Sequence, residues 1–251
     1  EDVSLIKQYQ NYVLSFKNIE YISYGNNVGL SKAYNVMCSK AITENFDYIC
    51  ILDQDSIINK KSFLEIINNI INYPNNNVAV FAPRVLYTHK MNNCNKISSR
   101  YESVKWVISS GSFLNLHAYK NIGSFDENLF IDRIDYDYCS RARRKKYKII
   151  RINTALLIQN LGVIKDSLIK KSNHSVLRHY YIFRNRFYYY LYKQKSIISS
   201  ILCIILTIKH VFLILFYESE KIEKIGVLFK AFNDFSCNNL GKIKYDTREN
   251  I

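Results

Sequence analysis

The chain has 251 residues, 48% hydrophobic and 22% charged, which excludes a disordered polypeptide and leaves room for one sizeable core or for one domain with an appendage. A formal net charge of +14 points to a polyanionic partner: nucleic acid, anionic lipid or phosphorylated small molecules. Its six cysteines are scattered without a C-x-x-C pair, which excludes a zinc spacing and a disulfide framework and fits reduced thiols in a cytosolic compartment.

The sequence starts at Glu1-Asp2, without an initiator Met or signal peptide, and reads as a fragment of a longer chain. Residues 3–16 carry an amphipathic helical pattern, and 19–24 read as a strand. Asn26-Asn27-Val28-Gly29 forms a turn that opens a helix over 30–43. The apolar run 48–52 has the character of a strand buried on both faces of a parallel sheet, and it ends in Asp53-Gln54-Asp55. A helix over 60–73 is stopped by Pro74, and a strand over 78–82 is ended by Pro83. Residues 88–103 are polar and irregular, 104–109 read as a strand, and a helix starts near Ile134 and runs to Lys146. Strands follow at 148–152 and 155–158, then a linker over 165–173. An aromatic, basic helix over 174–195, a strongly apolar stretch over 197–217 and an amphipathic helix over 221–233 complete the chain. Short alternation of strand and helix argues for an α/β architecture with a mainly parallel sheet, and the composition shift places a boundary near 165, separating 1–165 from 166–251.

Two acidic clusters stand out. Asp53 and Asp55 lie just past the carboxyl end of a strand, the edge where open α/β sheets bind ligands. Two carboxylates there repel unless a hard divalent cation, Mg²⁺ or Mn²⁺, lies between them; the plainer alternative is a strand ending in a polar turn. The second cluster is FIDRIDYDYCSR, with Asp132, Asp135 and Asp137, which cannot all face one pocket. On a helix Asp137 and Arg141 are i,i+4 partners, and Asp132 or Asp135 is placed to cap its N-terminus.

In their order, NNVGLSKAYN, FDYICILDQDS, VAVFAPRV, ISSGSFL, IGSFDENLFIDRIDYDYCSRARRKKYKI, QNLG, RHYYIFRN and KAFNDFSCNNLGK resemble the inverting family-2 glycosyltransferases of the GT-A fold, in particular their rhamnosyltransferase-like branch. The resemblance implies a Rossmann-like nucleotide-diphospho-sugar transferase domain followed by a C-terminal helical region. It implies Asp135 as the base that takes the proton of the attacking hydroxyl, Asp55 as metal ligand, and Asp53 as a group reaching the ribose or a metal-bound water. It sets Asn27, Gly29 and Asn35 beside the nucleotide, Ser110 and Gly111 along the donor or acceptor pocket, and Asp137 among the substrate-binding residues. Two departures are visible. Relatives have a metal-binding His where this chain has Gln159, a carbonyl donor that suits Mg²⁺ better than Mn²⁺, with His174 and His179 as possible substitutes. The family's first strand, with its T-Y-N-type turn and D-N-x-S, is expected before Glu1, so the chain reads as N-terminally truncated.

The resemblance implies a nucleotide-sugar donor, a glycan or lipid-linked glycan acceptor, and a sugar such as rhamnose from dTDP-rhamnose. The apolar stretch over 197–217 would place Lys209 near mid-membrane if it spanned, at a cost of about 2.5–3.5 kcal/mol, so an in-plane or hairpin-like helix on the inner face of the cell membrane is expected. Arg141, Arg143, Arg144, Lys145, Lys146, Lys148 and Arg151, together with 178–195, are expected to meet anionic headgroups; the alternative is that both apolar helices pack on the catalytic domain. A haloacid-dehalogenase-type phosphatase lacks its downstream Lys and paired Asp here. A single-stranded nucleic-acid binder leaves both acidic clusters unexplained, so no nucleic acid partner is expected. A catalytically silent relative that binds sugar or lipid-linked glycan is the remaining rival.

Overall fold

The computed structural model describes residues 18–74, 77–87, 99–159 and 174–243. The expected helix over 3–16, most of the loop over 88–103, the linker and the boundary near 165 lie outside the described residues.

Helix α1 (Leu30–Thr43) has the expected bounds. Gly29 precedes it with φ +85, and a Cβ there would lie 2.5 Å from a Phe130 ring carbon and 2.7 Å from the Phe130 carbonyl. Only glycine lets the two segments come this close. Strand β1 (Tyr48–Ile51) follows, then β2 (Ser56–Ile58), α2 (Lys60–Asn72), β3 (Val78–Tyr87), β4 (Tyr101–Ser103) and β5 (Ser112–Asn115). After these come α3 (Leu116–Ile122), α4 (Ile134–Arg144) and β6 (Lys148–Gln159).

The sheet runs β1-β5-β3-β6-β2, with β4 also on β6. Among the described residues only β3 and β6 pair in parallel; β5 inserts antiparallel between β1 and β3. The sheet is therefore mixed, not mainly parallel. The expected strand over 19–24 joins no ladder, with Ile19, Tyr21 and Ile22 exposed, and among the described residues β1 stands at the end of the strand order. Pro83 does not stop β3. The ladder shifts register between Pro83 and Arg84, where a missing N–H costs no ladder bond, and the two strands expected at 148–152 and 155–158 fuse into one β6.

Helices cover both faces. On one, Ile66 of α2 packs with Phe81, Phe113, Ile150 and Ile152. On the other, Tyr34 and Cys38 of α1 and Tyr138 and Ala142 of α4 pack with Ile51, Val80, Leu114 and Ile149. Ile66 is fully enclosed, so its truncation to Ala costs about 2–5 kcal/mol.

The C-terminal region holds α5 (Val176–Phe187), a π-helical turn over Tyr188–Lys193, α6 (Ile197–Tyr217) and α7 (Lys221–Ser236). Segment 178–195, expected at headgroup level, is largely interior: Tyr180, Tyr181, Phe183 and Phe187 pack with Phe130, Cys203, Ile214, Val227 and Ala231. Arg184 is 0% exposed, and its guanidinium bonds to the carbonyls of Asn128, Asn239 and Gly241 and to the Asn185 amide oxygen. Nor do the basic residues over 141–151 form one free face, since Arg141, Arg144, Lys145 and Arg151 all bind protein groups. α6 is one 21-residue helix, not a hairpin, opened by a Ser196/Ser199 capping box. By length and composition it alone among the described helices could cross a membrane.

Candidate active site

The chain leaves the sheet after Ile51, turns through Asp53–Asp55, where the Ser56 N–H donates to the Asp53 carbonyl at 3.2 Å, and enters β2. Two residues from elsewhere in the sequence clamp this turn. Buried Ser110 accepts the Asp53 N–H at 3.0 Å and donates to the Ser56 hydroxyl at 2.8 Å. Gly111 donates its N–H to the Ile51 carbonyl at 2.7 Å. Its φ of +74, with Leu157 and Pro83 carbons 3.0 Å from where a Cβ would be, requires glycine. Ser110 and Gly111 thus hold the acidic turn from beneath.

Ser56 pairs with Gln159 across the β2–β6 ladder, which brings Gln159 to the turn. The Gln159 amide nitrogen lies 3.4 Å from an Asp55 carboxylate oxygen, which also accepts the Ser56 hydroxyl at 3.2 Å. Burial raises the pKa of Asp53, and the Asp55 charge raises it further, the electrostatic signature of two carboxylates sharing a site. Among the described residues no three His, Cys, Asp or Glu side chains gather as a metal set. The donor set at hand is Asp53, Asp55 and Gln159, whose amide exchanges donor for acceptor by a half-turn. This all-oxygen set fits Mg²⁺ or Mn²⁺. His179 is not a substitute ligand: it is fully buried, bonded to His210 at 3.0 Å and to Glu218 at 2.8 Å.

Asp135 sits in the first turn of α4. Asp132 and Arg133 just before it both adopt left-handed backbone, φ +66 and +64, a conformation costing of order 1–3 kcal/mol per residue away from glycine. The C-terminal region holds that turn in place. Arg178 pairs with Asp132 at 3.0 Å, and the Asn185 amide donates to the Ile131 carbonyl. Strain held in this way aims Asp135 at Ser109, whose hydroxyl donates to its carboxylate. Burial pushes the Asp135 pKa up to about 6; the Ser109 hydrogen bonds oppose this, and the Asp53 and Asp132 charges add to it.

The other expected residues lie elsewhere. Asp137 is 0% exposed and engaged by Arg141 at 2.8 Å and Lys193 at 3.2 Å, so it is a buried structural ion pair and not a substrate ligand. Asn35 faces the end of α3 and the loop after it: its carbonyl oxygen accepts the Phe125 N–H at 2.8 Å and the Tyr119 hydroxyl at 2.9 Å, and its amide donates to the Phe125 carbonyl at 3.0 Å. Asn27, exposed, accepts the Gly29 N–H at 3.0 Å and closes the turn into α1. Asn27, Gly29 and Asn35 brace the acidic loop through these contacts. Sequence reasoning missed Ser109, Arg178, Arg184 and Asn185. The S-S-G-S run and the R-H-Y-Y-I-F-R-N block marked these places without showing what they bind.

Residues 1–151 match glycosyl transferase family 2. The chain is 26% identical over 225 residues to the dTDP-rhamnosyl transferase RfbF of Shigella flexneri, covering 82% of this chain and 75% of that one. Among solved structures it is similar to S. aureus TarS 1–349, at 16% identity and a TM-score of 0.43, covering 94% of this chain and 59% of that one. The longer S. aureus TarS structure gives 17% identity and a TM-score of 0.42, over 94% of this chain and 36% of that one. With more than half its length matched to the family, and with both acidic clusters set at one end of an α/β sheet, the chain belongs to glycosyl transferase family 2.

Proposed function

We propose that this glycosyltransferase moves a sugar, rhamnose from a dTDP donor, onto a growing cell-surface glycan with inversion at the anomeric carbon. One observation carries the reading. Ser109 and Ser110 are consecutive, and the first holds Asp135 while the second holds the Asp53–Asp55 turn. Adjacent residues lie about 3.8 Å apart between Cα atoms, so the base and the acidic turn are fixed at short range on one rigid dipeptide. Inversion in a single displacement needs one base on the acceptor side and charge stabilisation on the leaving-group side. Asp135, with its pKa lifted to about 6, is about 90% ionised at pH 7 and basic enough to take a hydroxyl proton. A Mg²⁺ or Mn²⁺ ion held by Asp53, Asp55 and Gln159 would neutralise charge on the departing nucleoside diphosphate. The rhamnose and dTDP assignment leans on the likeness to RfbF.

Our reading places the protein on the cytoplasmic face of the membrane. α6 turns one edge, with Cys203 and Ile214, to the protein and leaves Ile197, Ile201, Ile204, Ile205, Ile208 and Phe212 exposed. Lying in the interface, this face buries apolar side chains while exposed Lys209 stays at headgroup level. A panel of nucleotide sugars, with and without Mg²⁺ or Mn²⁺, tests the donor assignment by the nucleotide released; dTDP-rhamnose should lead, and no release from any donor would reject it.

A further inference from the structure

Beside the acidic turn lies a second cleft, of about 390 Å³, that meets the site described above at Ser110. It runs between the outer half of β3 and residues 104–110, with Arg84, Lys105, Trp106, Ser110 and Arg151 in its wall. Its size falls within the range of small-ligand sites. Trp106 is the chain's sole tryptophan and is 41% exposed. One face of its ring stacks on Tyr136, with centroids 4.1 Å apart and planes 27° apart, and the Arg133 guanidinium lies 4.7 Å from the Tyr136 centroid. Held on one face by Tyr136 and 41% exposed, Trp106 offers its other ring face as a fixed platform for the C–H face of a pyranose. The platform adjoins the site already described: Tyr136 follows Asp135, and Ser110 is shared with the Asp53 turn.

The charges in the wall do not cancel. Arg151 is paired with Glu102. The Arg84 Nε is buried without a hydrogen-bond partner, and Lys105 is exposed with no carboxylate against it among the described residues. Among the described residues no Asp or Glu lines the cleft. A half-buried guanidinium with an unmet donor is costly unless an anion meets it, and its planar fork suits a carboxylate or phosphate.

We propose that the cleft between β3 and Trp106 is the acceptor subsite and that it selects a glycan carrying negative charge, with the sugar ring on Trp106 and the phosphate or carboxylate on Arg84 and Lys105. This rests on the proposed transferase reading and adds the chemical class of the acceptor. Because Trp106 is the only tryptophan, its emission reports the cleft directly. The full chain is titrated with trigalacturonic acid, with glucose 1-phosphate and with neutral maltotriose, and dTDP binding is followed separately by calorimetry. A saturable change in emission is expected with one or both charged probes, at an affinity at least tenfold tighter than with maltotriose; the charged probe that binds more tightly names the group. Arg84→Gln and the exposed Lys105→Gln should each weaken the charged probe several-fold and leave dTDP affinity unchanged. Equal binding of maltotriose, or no emission change with any probe, overturns the proposal. Loss of dTDP affinity in Arg84→Gln also overturns it, by giving the cleft to the donor. If wild-type protein binds no dTDP, the donor reading fails while the emission titration still decides the cleft.

Discussion

Replacing Ser109 by Ala removes the hydroxyl that donates to Asp135 and leaves the carboxylate in place. A hydrogen bond to a charged group is worth about 1.5–3 kcal/mol; since Asp135 keeps some solvent access, the low end applies, or about one pKa unit. The bond favours the ionised form, so its loss raises the Asp135 pKa from about 6 to about 7. At pH 7 the ionised fraction then drops from about 90% to about 50%, while at pH 9 both proteins are fully ionised. The assay is the pH profile of kcat/KM, which reports the free enzyme's base. The acid limb should move up by about one unit, with roughly twofold more loss at pH 7 than at pH 9. Ser109→Thr, which keeps the hydroxyl, should restore it. An acid limb within about 0.3 units of wild type, or a loss equal at every pH, would refute the assignment of Asp135 as the base held by Ser109.

Three further outcomes follow from the same geometry. Because the Asp135 pKa is raised on folding, its contribution to stability is present below about pH 4 and is lost as pH rises through about 6; Asp135→Asn should therefore stabilise the fold by about 1–3 kcal/mol at pH 7.5 and have little effect at pH 4, as read by thermal melting. Gly29→Ala forces a Cβ to 2.7 Å from the Phe130 carbonyl that also accepts the Leu30 N–H at 2.9 Å; a loss of about 2–4 kcal/mol is expected, and an unchanged melting temperature would contradict the close approach. Ile204→Ser with Ile208→Ser changes two exposed α6 side chains and should weaken sedimentation with anionic phosphatidylglycerol vesicles about tenfold or more without lowering the melting temperature; unchanged sedimentation would remove α6 from the membrane.

The parts of this architecture legible in the sequence are those whose signals are local. The bounds of α1 were readable because Gly29 opens it, and those of α6 because a long apolar run marks them. The acidic turn was readable because an apolar strand stops at two carboxylates. What escaped depends on distant partners. Residues 104–109 carry a strand-like pattern, yet the chain there is irregular because Ser109 and Ser110 bind side chains and backbone of the two acidic clusters instead of a ladder. Pro83 reads as a strand end, and only the opposing bulge in β6 explains why β3 continues. Arg184 and Asn185 read as part of a basic surface helix, but they are buried because backbone carbonyls of residues 128, 131, 239 and 241 need donors. The Asp137–Arg141 pair was readable from its i,i+4 spacing, whereas the Lys193 contact that completes it comes from the C-terminal region.

The central claim is that Asp135 is the acceptor-side base beside an intact donor site. The most direct measurement compares wild type with Asp135→Asn, with dTDP-rhamnose as donor and an extract-derived surface glycan as acceptor, recording dTDP affinity, the turnover rate and the anomeric configuration of the product. The account predicts an inverted product from wild type and, in the variant, unchanged dTDP affinity with turnover lower by orders of magnitude. Near-normal turnover in Asp135→Asn, or a product with retained configuration, would contradict it.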